Sequence, residues 1–382
     1  MQYRRSIEKT IDGWIGKGKI LIIYGPRQVG KTTLVKSILS RYGKPQDYFN
    51  CEILGVQQAL QKQDPQGLYS LFGKSQFVVL DEAQKISNIG LILKIFHDTY
   101  PKVQIIATGS SSFDLSNKIS EPLTGRALEF TLFPLSLQEL NQSHSRLDLQ
   151  GKLESLLRFG SYPEIINNSE KVAKVLLDNI TSKYLFQDVL EHEQIKKSTL
   201  LINLVQLLAL QIGNEVSMNE LAVTLSTGRK TIERYLDLLE KAFVILRLRS
   251  FSRNLRKEIG KKQKIYFYDL GIRNSLIARY NPLHLRDDVG ALWENYIIIE
   301  RLKYLRYNQI SSNTFFWRTH DQKEIDYVEE SNGKLHGYEL KWNKDTFKKP
   351  QEFLDTYMNS DVRLINKDNF YDFLLGRAKG VK

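Results

Sequence analysis

The sequence predicts an α/β protein built from several domains, and three patterns predict it. Short, continuous apolar runs at Ile20 to Tyr24, Phe77 to Leu80 and Val103 to Ala107 alternate with helical stretches through residues 1–150. That alternation is the pattern of a parallel sheet covered by helices on both faces. Residues 201–275 read as helix, helix, turn, helix and then two strands. From 285 to 382, a helix is followed by strands that meet at Ser331-Asn332-Gly333-Lys334, where Asn-Gly marks a tight hairpin. A helical stretch over 151–200, broken once at Ser161-Tyr162-Pro163, connects the first part to the second.

Composition narrows the classes. An apolar share of 42% over 382 residues is enough for several buried cores. Lys and Arg number 55 against 43 Asp and Glu, a net +12, which favours a polyanionic partner, nucleic acid ahead of an anionic membrane surface. The single cysteine, Cys51, excludes an internal disulfide and a thiolate metal cluster. Met1 to Ser6 lacks the apolar stretch of a signal peptide, and the apolar runs have strand length. The expectation is a cytoplasmic protein with no membrane partner.

The first strand, Ile20 to Tyr24, runs into Gly25-Pro26-Arg27-Gln28-Val29-Gly30-Lys31-Thr32, and a helix follows from Lys31 to about Tyr42. This is G-x-x-x-x-G-K-[ST] in full, in the strand–loop–helix context the motif needs. Loop N–H groups and the helix N-terminus present donors to phosphates. Lys31 reaches the β- and γ-oxygens, and the Thr32 hydroxyl helps hold Mg²⁺, with Thr33 completing the binding set. The expected ligand is ATP with Mg²⁺. The strand Phe77 to Leu80 ends in Asp81-Glu82, placing two carboxylates at the sheet edge where ligands bind. Asp81 would contact Mg²⁺ and Glu82 would polarise the attacking water. The third strand ends in Thr108-Gly109-Ser110, and Ser110 is preferred to Thr108 as the hydroxyl that meets the γ-phosphate or the water. Arg126, after Leu123-Thr124-Gly125, would stabilise the transferring phosphoryl charge in its own site or in that of a neighbour in a homo-oligomer. A surface arginine is the alternative.

These motifs stand in order with Leu80-Asp81-Glu82-Ala83-Gln84-Lys85 and Phe133-Pro134-Leu135-Ser136. Together they resemble the prokaryotic AAA-type ATPases that carry a C-terminal domain of unknown function. Gly160-Ser161-Tyr162-Pro163-Glu164, Tyr268-Asp269-Leu270-Gly271 and Trp293-Glu294-Asn295 match the same family's pattern. The resemblance implies a P-loop AAA+ core that hydrolyses ATP, and leaves the biological role open.

In the middle part, Ser217-Met218-Asn219-Glu220 has the form of a capping box that opens a helix. Ser226-Thr227-Gly228 makes a turn, and Arg229 to Lys241 forms a second helix. Two strands follow, the order of a winged helix. Arg229, Lys230 and Arg234 point outward, suited to DNA phosphates and base edges. From Arg247 to Lys264 there are eight basic residues and one acid, Glu258; Arg253, Arg256, Lys257, Lys261 and Lys262 extend the nucleic-acid surface into the wing. The alternative is a winged helix used for packing, with a solvated basic face.

The last part gathers charge. Strand alternation puts Glu324 and Asp326 on one face, and Glu339 and Lys341 together on the next strand. Asp326, Glu339 and the Leu340 carbonyl would hold Mg²⁺, Lys341 would position a water or hydroxide and stabilise a developing phosphorane, and Glu294 on the preceding helix would complete a second metal site or orient the lysine. The set resembles the restriction-endonuclease-like nucleases at Asp326, Glu339, Lys341 and Glu294. Two alternatives stand: charged residues facing solvent, or a retained fold with lost cleavage. The function expected is ATP hydrolysis with DNA binding and metal-dependent DNA cleavage. Its rivals are a nucleotide-switched DNA-binding or regulatory protein whose nuclease-like domain is inactive, and an adaptor that signals through protein partners.

Overall fold

In the computed structural model the described residues are 3–61, 64–110, 123–183, 198–252, 263–319 and 321–376. Strands β1 (Ile20–Tyr24), β2 (Tyr48–Asn50), β3 (Phe77–Asp81), β4 (Gln104–Gly109) and β5 (Ala127–Thr131) form a five-stranded sheet in the order β2-β3-β4-β1-β5. Every pairing in it is parallel. β1, β3 and β4 are buried along their whole length, which is why they read as unbroken apolar runs. The edge strands β2 and β5 are only half-buried, so their mixed composition carries no strand signal. Because β4 lies between β1 and β3, the carboxyl ends of the three adjoin at one edge of the sheet. The helix Lys31–Tyr42 buries Leu34, Val35, Ile38 and Leu39, one stripe of a 3.6-residue period packed on the sheet.

The middle part contains helices Arg146–Phe159 and Glu170–Lys183, then helix Ser198–Leu210, β6 (Glu215–Val216), helix Met218–Thr224 and helix Arg229–Lys241. β7 (Ile245–Ser250) and β8 (Gln263–Phe267) close it, with β8 antiparallel to both β6 and β7. Ser217 caps its helix by accepting a hydrogen bond from the Glu220 N–H at 3.3 Å. Helix Arg229–Lys241 buries Ile232, Tyr235, Leu236, Leu238 and Leu239, the amphipathic stripe that its sequence predicts.

The strands β9 (Asn313–Arg318), β10 (Glu324–Ser331), β11 (Lys334–Leu340) and β12 (Ser360–Ile365) continue the same sheet, giving seven strands in the order β12-β11-β10-β9-β7-β8-β6. The joint is a parallel pairing of Arg249 with Phe315 and Ser250 with Phe316. The β10–β11 hairpin turns at Asn332 and Gly333, with φ of 51° and 74°, the two positive values that a type I′ turn requires. Helix Val289–Tyr307 is buried on nearly all sides, as expected for a rod through the protein interior. Among the described residues no helix is long and apolar enough to cross a membrane.

The motifs at 160–164, 268–271 and 293–295 meet where the parts join. Gly160 has φ 73°, and a Cβ there would lie 2.0 Å from Asp269 Oδ1, so a side chain is excluded twice over. Asp269 accepts from Ser161 N at 2.7 Å while capping the helix Leu270–Leu276 through Gly271 N at 2.8 Å. Asn295 brackets β8, donating to Phe267 O at 2.9 Å and accepting from Phe267 N at 2.7 Å. Lys303, also buried, donates to Leu135 O at 3.2 Å, Ser161 Oγ at 3.3 Å and Glu300 Oε1 at 2.7 Å. Glu300 in turn accepts from Leu137 N at 2.6 Å. Buried polar groups of this kind persist because each is satisfied by a partner from another part of the chain.

Candidate functional site

The phosphate loop leaves β1 through Gly25, whose φ is 155°; a Cβ there would lie 2.1 Å from Leu132 O, so only glycine fits. Lys31 is 5% exposed, and its ammonium donates to Gly25 O at 2.8 Å and Pro26 O at 2.9 Å across the mouth of the loop. The Thr32 hydroxyl donates to Asp81 Oδ2 at 2.7 Å. Two more hydroxyls orient the same carboxylate: Tyr48 donates to Oδ2 at 2.6 Å and Thr108 to Oδ1 at 2.5 Å. Burial, and after it Asp81, raises the Tyr48 phenol above its ordinary value, so it stays a donor.

Glu82 is turned away from Asp81 by a left-handed backbone with φ 56°, a conformation that costs a bulky residue on the order of 1–3 kcal/mol and clusters at functional sites. Its N–H donates to Thr108 Oγ1 at 3.0 Å, and its carboxylate accepts from Gln84 Nε2 at 2.5 Å. Gln84 also donates to Ser110 Oγ at 3.1 Å. Thr108 thus makes direct contact with Asp81 and Glu82, whereas Ser110, the hydroxyl favoured from sequence, meets Glu82 only through Gln84. Periodicity places both at the end of β4 and says nothing of their partners, which the backbone turn after β3 and the side chain of Gln84 set.

Two cavities flank the loop. One of about 580 Å³ is lined by Arg27, Gln28, Lys31, Thr32, Asp81 and Glu82, with Lys36, Tyr48 and Glu52 at its outer side. The other, about 440 Å³, lies beyond Gly30 and Thr33 and is bounded by Tyr3, Arg5, Ser37, Leu135 and Pro163. Thr33 lines both. Tyr3, Arg5, Tyr48 and Pro163 were not legible as site residues, because none belongs to a contiguous motif around the loop. The donor set fits a triphosphate with Mg²⁺: an ammonium and loop amides for phosphate, and a hydroxyl beside a carboxylate for a hard cation.

Arg5 fixes the loop from behind. Its guanidinium donates to Val29 O at 2.6 Å, Phe133 O at 2.5 Å and Glu139 Oε1 at 3.0 Å. The Tyr307 hydroxyl, at the end of the long helix, lies 3.5 Å from the same guanidinium and accepts from Phe133 N at 3.0 Å.

Arg126 stands at the opposite edge of the sheet. It precedes β5 and its carbonyl accepts from Ile20 N, the start of β1, about 16 Å along the strand from the loop. Its guanidinium makes a bidentate pair with Asp98 at 2.6 and 3.0 Å. The sheet's direction therefore keeps Arg126 out of its own phosphate site.

Arg229, Lys230 and Arg234 are exposed on one helix, with Arg229 3.1 Å from Glu233 and Arg234 stacked over the Tyr235 ring. Arg253, Arg256, Lys257, Lys261 and Lys262 lie outside the described residues. Two of the eight basic residues counted from Arg247 to Lys264 are ion-paired within the fold. Arg247 pairs with Asp237 at 2.6 Å and Glu240 at 2.5 Å, and Lys264 is 2% exposed.

In the C-terminal part the structure brings Glu294, Asp326, Glu339 and Lys341 together. Lys341 Nζ lies 3.2 Å from Asp326 Oδ2 and 2.8 Å from Glu339 Oε1, and Leu340 N donates to Asp326 Oδ2 at 2.8 Å. Lys264 Nζ lies 2.9 Å from Glu294 Oε1, and the Tyr266 hydroxyl donates to that oxygen at 2.6 Å. Burial first, then Asp326, raises the Glu294 carboxyl above its usual range, and the same causes raise Glu339. Among the described residues no three His, Cys, Asp or Glu side chains are grouped so as to hold a metal ion. The metal site expected at Asp326 and Glu339 does not fit: Asp326 is turned onto an amide and an ammonium, and each neighbouring carboxylate already faces a cation.

With this geometry in view, comparison with known proteins is informative for the first part. Residues 17–141 match the AAA domain. The five-stranded sheet and its phosphate loop are the AAA+ core of the chain, as the sequence predicts. Beyond the AAA domain, residues 150–283 and 289–373 each match a domain of unknown function (DUF8612 and DUF4143). The chain is 28% identical over 342 residues to an uncharacterized protein of Mycobacterium tuberculosis, covering 88% of this chain and 74% of that one. It is 25% identical to an uncharacterized protein of Methanocaldococcus jannaschii, covering 85% and 75%. Among solved structures, the Aeropyrum pernix ORC1 protein in complex with DNA covers 73% of this chain and 93% of its own, at 13% identity and a TM-score of 0.34. That likeness is too slight to argue from.

Proposed function

We propose that this chain is an ATP-hydrolysing AAA-domain protein whose nucleotide state is felt by a DNA-binding middle part. The observation that carries the reading is the convergence of Lys31, Thr32 and Asp81 on one cavity with Glu82 turned separately beside them. When bound, Mg²⁺ would neutralise phosphate charge, held by Thr32 with Asp81 behind it. Lys31 exchanges the Gly25 and Pro26 carbonyls for phosphate oxygens, and Thr108 and Tyr48 keep Asp81 aligned. Glu82 orients the attacking water, and Gln84 holds its carboxylate. The test is phosphate release and nucleotide retention with Glu82→Gln. Turnover is expected to fall on the order of 10²–10³-fold with ATP still bound, and unchanged turnover would reject the assignment.

Arg126 then serves a neighbouring copy, since its own site is out of reach. Arg126→Ala and Lys31→Ala chains, each inactive alone, are expected to recover part of the ATPase activity when mixed. If Arg126→Ala alone turns over normally, the arginine is a surface residue.

The middle part follows the winged-helix order, and three exposed cations on helix Arg229–Lys241 support a phosphate-contacting face. Replacing Arg229, Lys230 and Arg234 together with Gln is expected to weaken DNA binding and to reduce the slope of log affinity against log salt by about 2.7. An unchanged slope would move the reading to a packing or adaptor role. For the C-terminal part, the compensated carboxylates support the inactive alternative over cleavage. Duplex and single-stranded DNA are expected to survive incubation with the protein and Mg²⁺ or Mn²⁺. Cleavage that Lys341→Ala abolishes would restore the nuclease reading.

A further inference from the structure

The seven-stranded sheet has one strongly basic edge. β7 and β9 are a parallel pair, as are β11 and β12, and β10 runs antiparallel to both β9 and β11. The strands β7, β9, β11 and β12 therefore point one way, and the segments that leave their carboxyl ends emerge along the same edge. From β7 to β12 is four strand spacings, about 19 Å. Arg249, exposed near the end of β7, stands at one end of it. Toward the other end the segment Lys341 to Lys349 leaves β11 with four lysines and one acid, Asp345. The turn after β12 adds the exposed Lys367, with Asp368 beside it as a second exposed acid.

The segment after β11 has neither helix nor strand, yet it is held. Trp342 packs edge-on to Trp293 with 5.2 Å between ring centres, and Phe347 packs on the cluster that contains Trp317, Ile325 and Phe353. Asn366 donates to Lys344 O at 3.1 Å and to Asp345 Oδ1 at 3.3 Å, which ties the segment to the turn that carries Lys367. Lys344, Lys348 and Lys349 are thus exposed on an anchored backbone. Their neighbours are paired: Lys323 lies 2.8 Å from Glu352, Arg318 3.3 Å from Glu215, Lys341 2.8 Å from Glu339 and Arg363 2.8 Å from Asp361. Among the described residues no carboxylate pairs with Arg249, Lys344, Lys348, Lys349 or Lys367.

Unpaired cations along one edge attract a polyanion. A protein partner would need an apolar centre to its contact. Among the described residues the exposed large apolar side chains of the C-terminal part, Ile310 and Met358, precede β9 and β12 and so lie toward the opposite edge. A nucleic-acid duplex needs no such centre and carries one phosphate charge per about 1.7 Å. We propose that this edge is a second nucleic-acid surface, on which Lys344, Lys348 and Lys349, with Arg249 and Lys367 on either side, hold the phosphodiester backbone. The C-terminal part then grips nucleic acid without cutting it. The inference rests on the DNA-binding reading above, but on residues other than those of helix Arg229–Lys241.

The test is binding of the full chain to a short labelled duplex, followed by fluorescence anisotropy across a salt series. Lys344→Gln, Lys348→Gln and Lys349→Gln together are expected to weaken binding and to lower the slope of log affinity against log salt by about 2.7. The thermal transition should stay where it is, since none of the three lysines has a partner to lose. The same three positions changed to Arg are expected to keep the parent slope. A folded Gln variant with the parent slope would overturn the proposal. So would a Gln variant that loses affinity for polyglutamate while keeping its DNA slope, because the edge would then belong to an acidic protein. A lower slope in this variant but not in the Arg229, Lys230 and Arg234 variant would uphold this surface and remove the helix. The reverse result would remove this surface and leave the helix. A parent chain that binds no duplex at low salt would reject both.

Discussion

Lys31→Ala is expected to eliminate ATP turnover while leaving the chain folded. The ammonium is buried at the mouth of the phosphate loop and bonded to Gly25 O and Pro26 O. Lys31 itself lines the cavity, so water can enter the space the ammonium vacates and donate to both carbonyls. Phosphates have no comparable replacement. Removing one pre-organised donor from a transition state costs on the order of 10²–10³-fold in turnover, and a charged donor that also binds the ground state is expected to cost nucleotide affinity too. Phosphate release, calorimetry with Mg·ATP and thermal denaturation measure the three quantities. Wild-type turnover in Lys31→Ala would remove the basis of the proposed function.

Arg5→Ala is expected to produce the largest loss of stability. Glu139 is wholly buried and accepts from Arg5 Nε at 3.0 Å, Ser6 N at 2.9 Å and Ser136 N at 2.9 Å. Removing the guanidinium leaves that carboxylate buried without its counter-charge, a change that costs about 3–5 kcal/mol. It also frees Val29 O and Phe133 O, which tie the phosphate loop to the segment after β5. Lysine is a poor replacement because one ammonium cannot reproduce the three directions of the guanidinium. Chemical denaturation should report the loss, and a raised KM for ATP should accompany it. Adding Glu139→Gln is expected to recover part of the stability. A cost below about 1 kcal/mol would show that the pair is not the buried tie described.

The Arg5 contact has a wider consequence. Tyr307, which meets both Arg5 and Phe133, ends the helix that begins at Val289 and carries Glu294. Glu294 and Tyr307 are thirteen residues apart on one continuous helix, about 20 Å along its axis. One rod thus meets Arg5, the residue bonded to the loop carbonyl of Val29, at one end and carries a member of the compensated acid cluster at the other. Glu300 and Lys303 fasten its middle to Leu135, Leu137 and Ser161. The same helix is bonded to β8 through Asn295 and Glu294, so Arg5 and β8 are held by one continuous element.

What the sequence by itself determined about this protein is what short stretches of backbone dictate. The strand, loop and helix around Lys31, the Asp81-Glu82 strand end, the amphipathic helix Arg229–Lys241 and the Asn332-Gly333 hairpin are each specified within about a dozen residues, by periodicity, capping and the few conformations that glycine permits. What only the tertiary structure decided is which charges meet. Arg5 finds Glu139 across 134 residues and Lys264 finds Glu294 across 30, and no local pattern encodes either encounter. Strand direction alone moved Arg126 to the far edge of its own sheet, and the β7–β9 pairing merged two expected parts into one sheet. The physical reason is the same throughout: backbone preferences act locally, whereas the cost of burying a charge is settled by whichever partner the completed fold brings within about 3 Å.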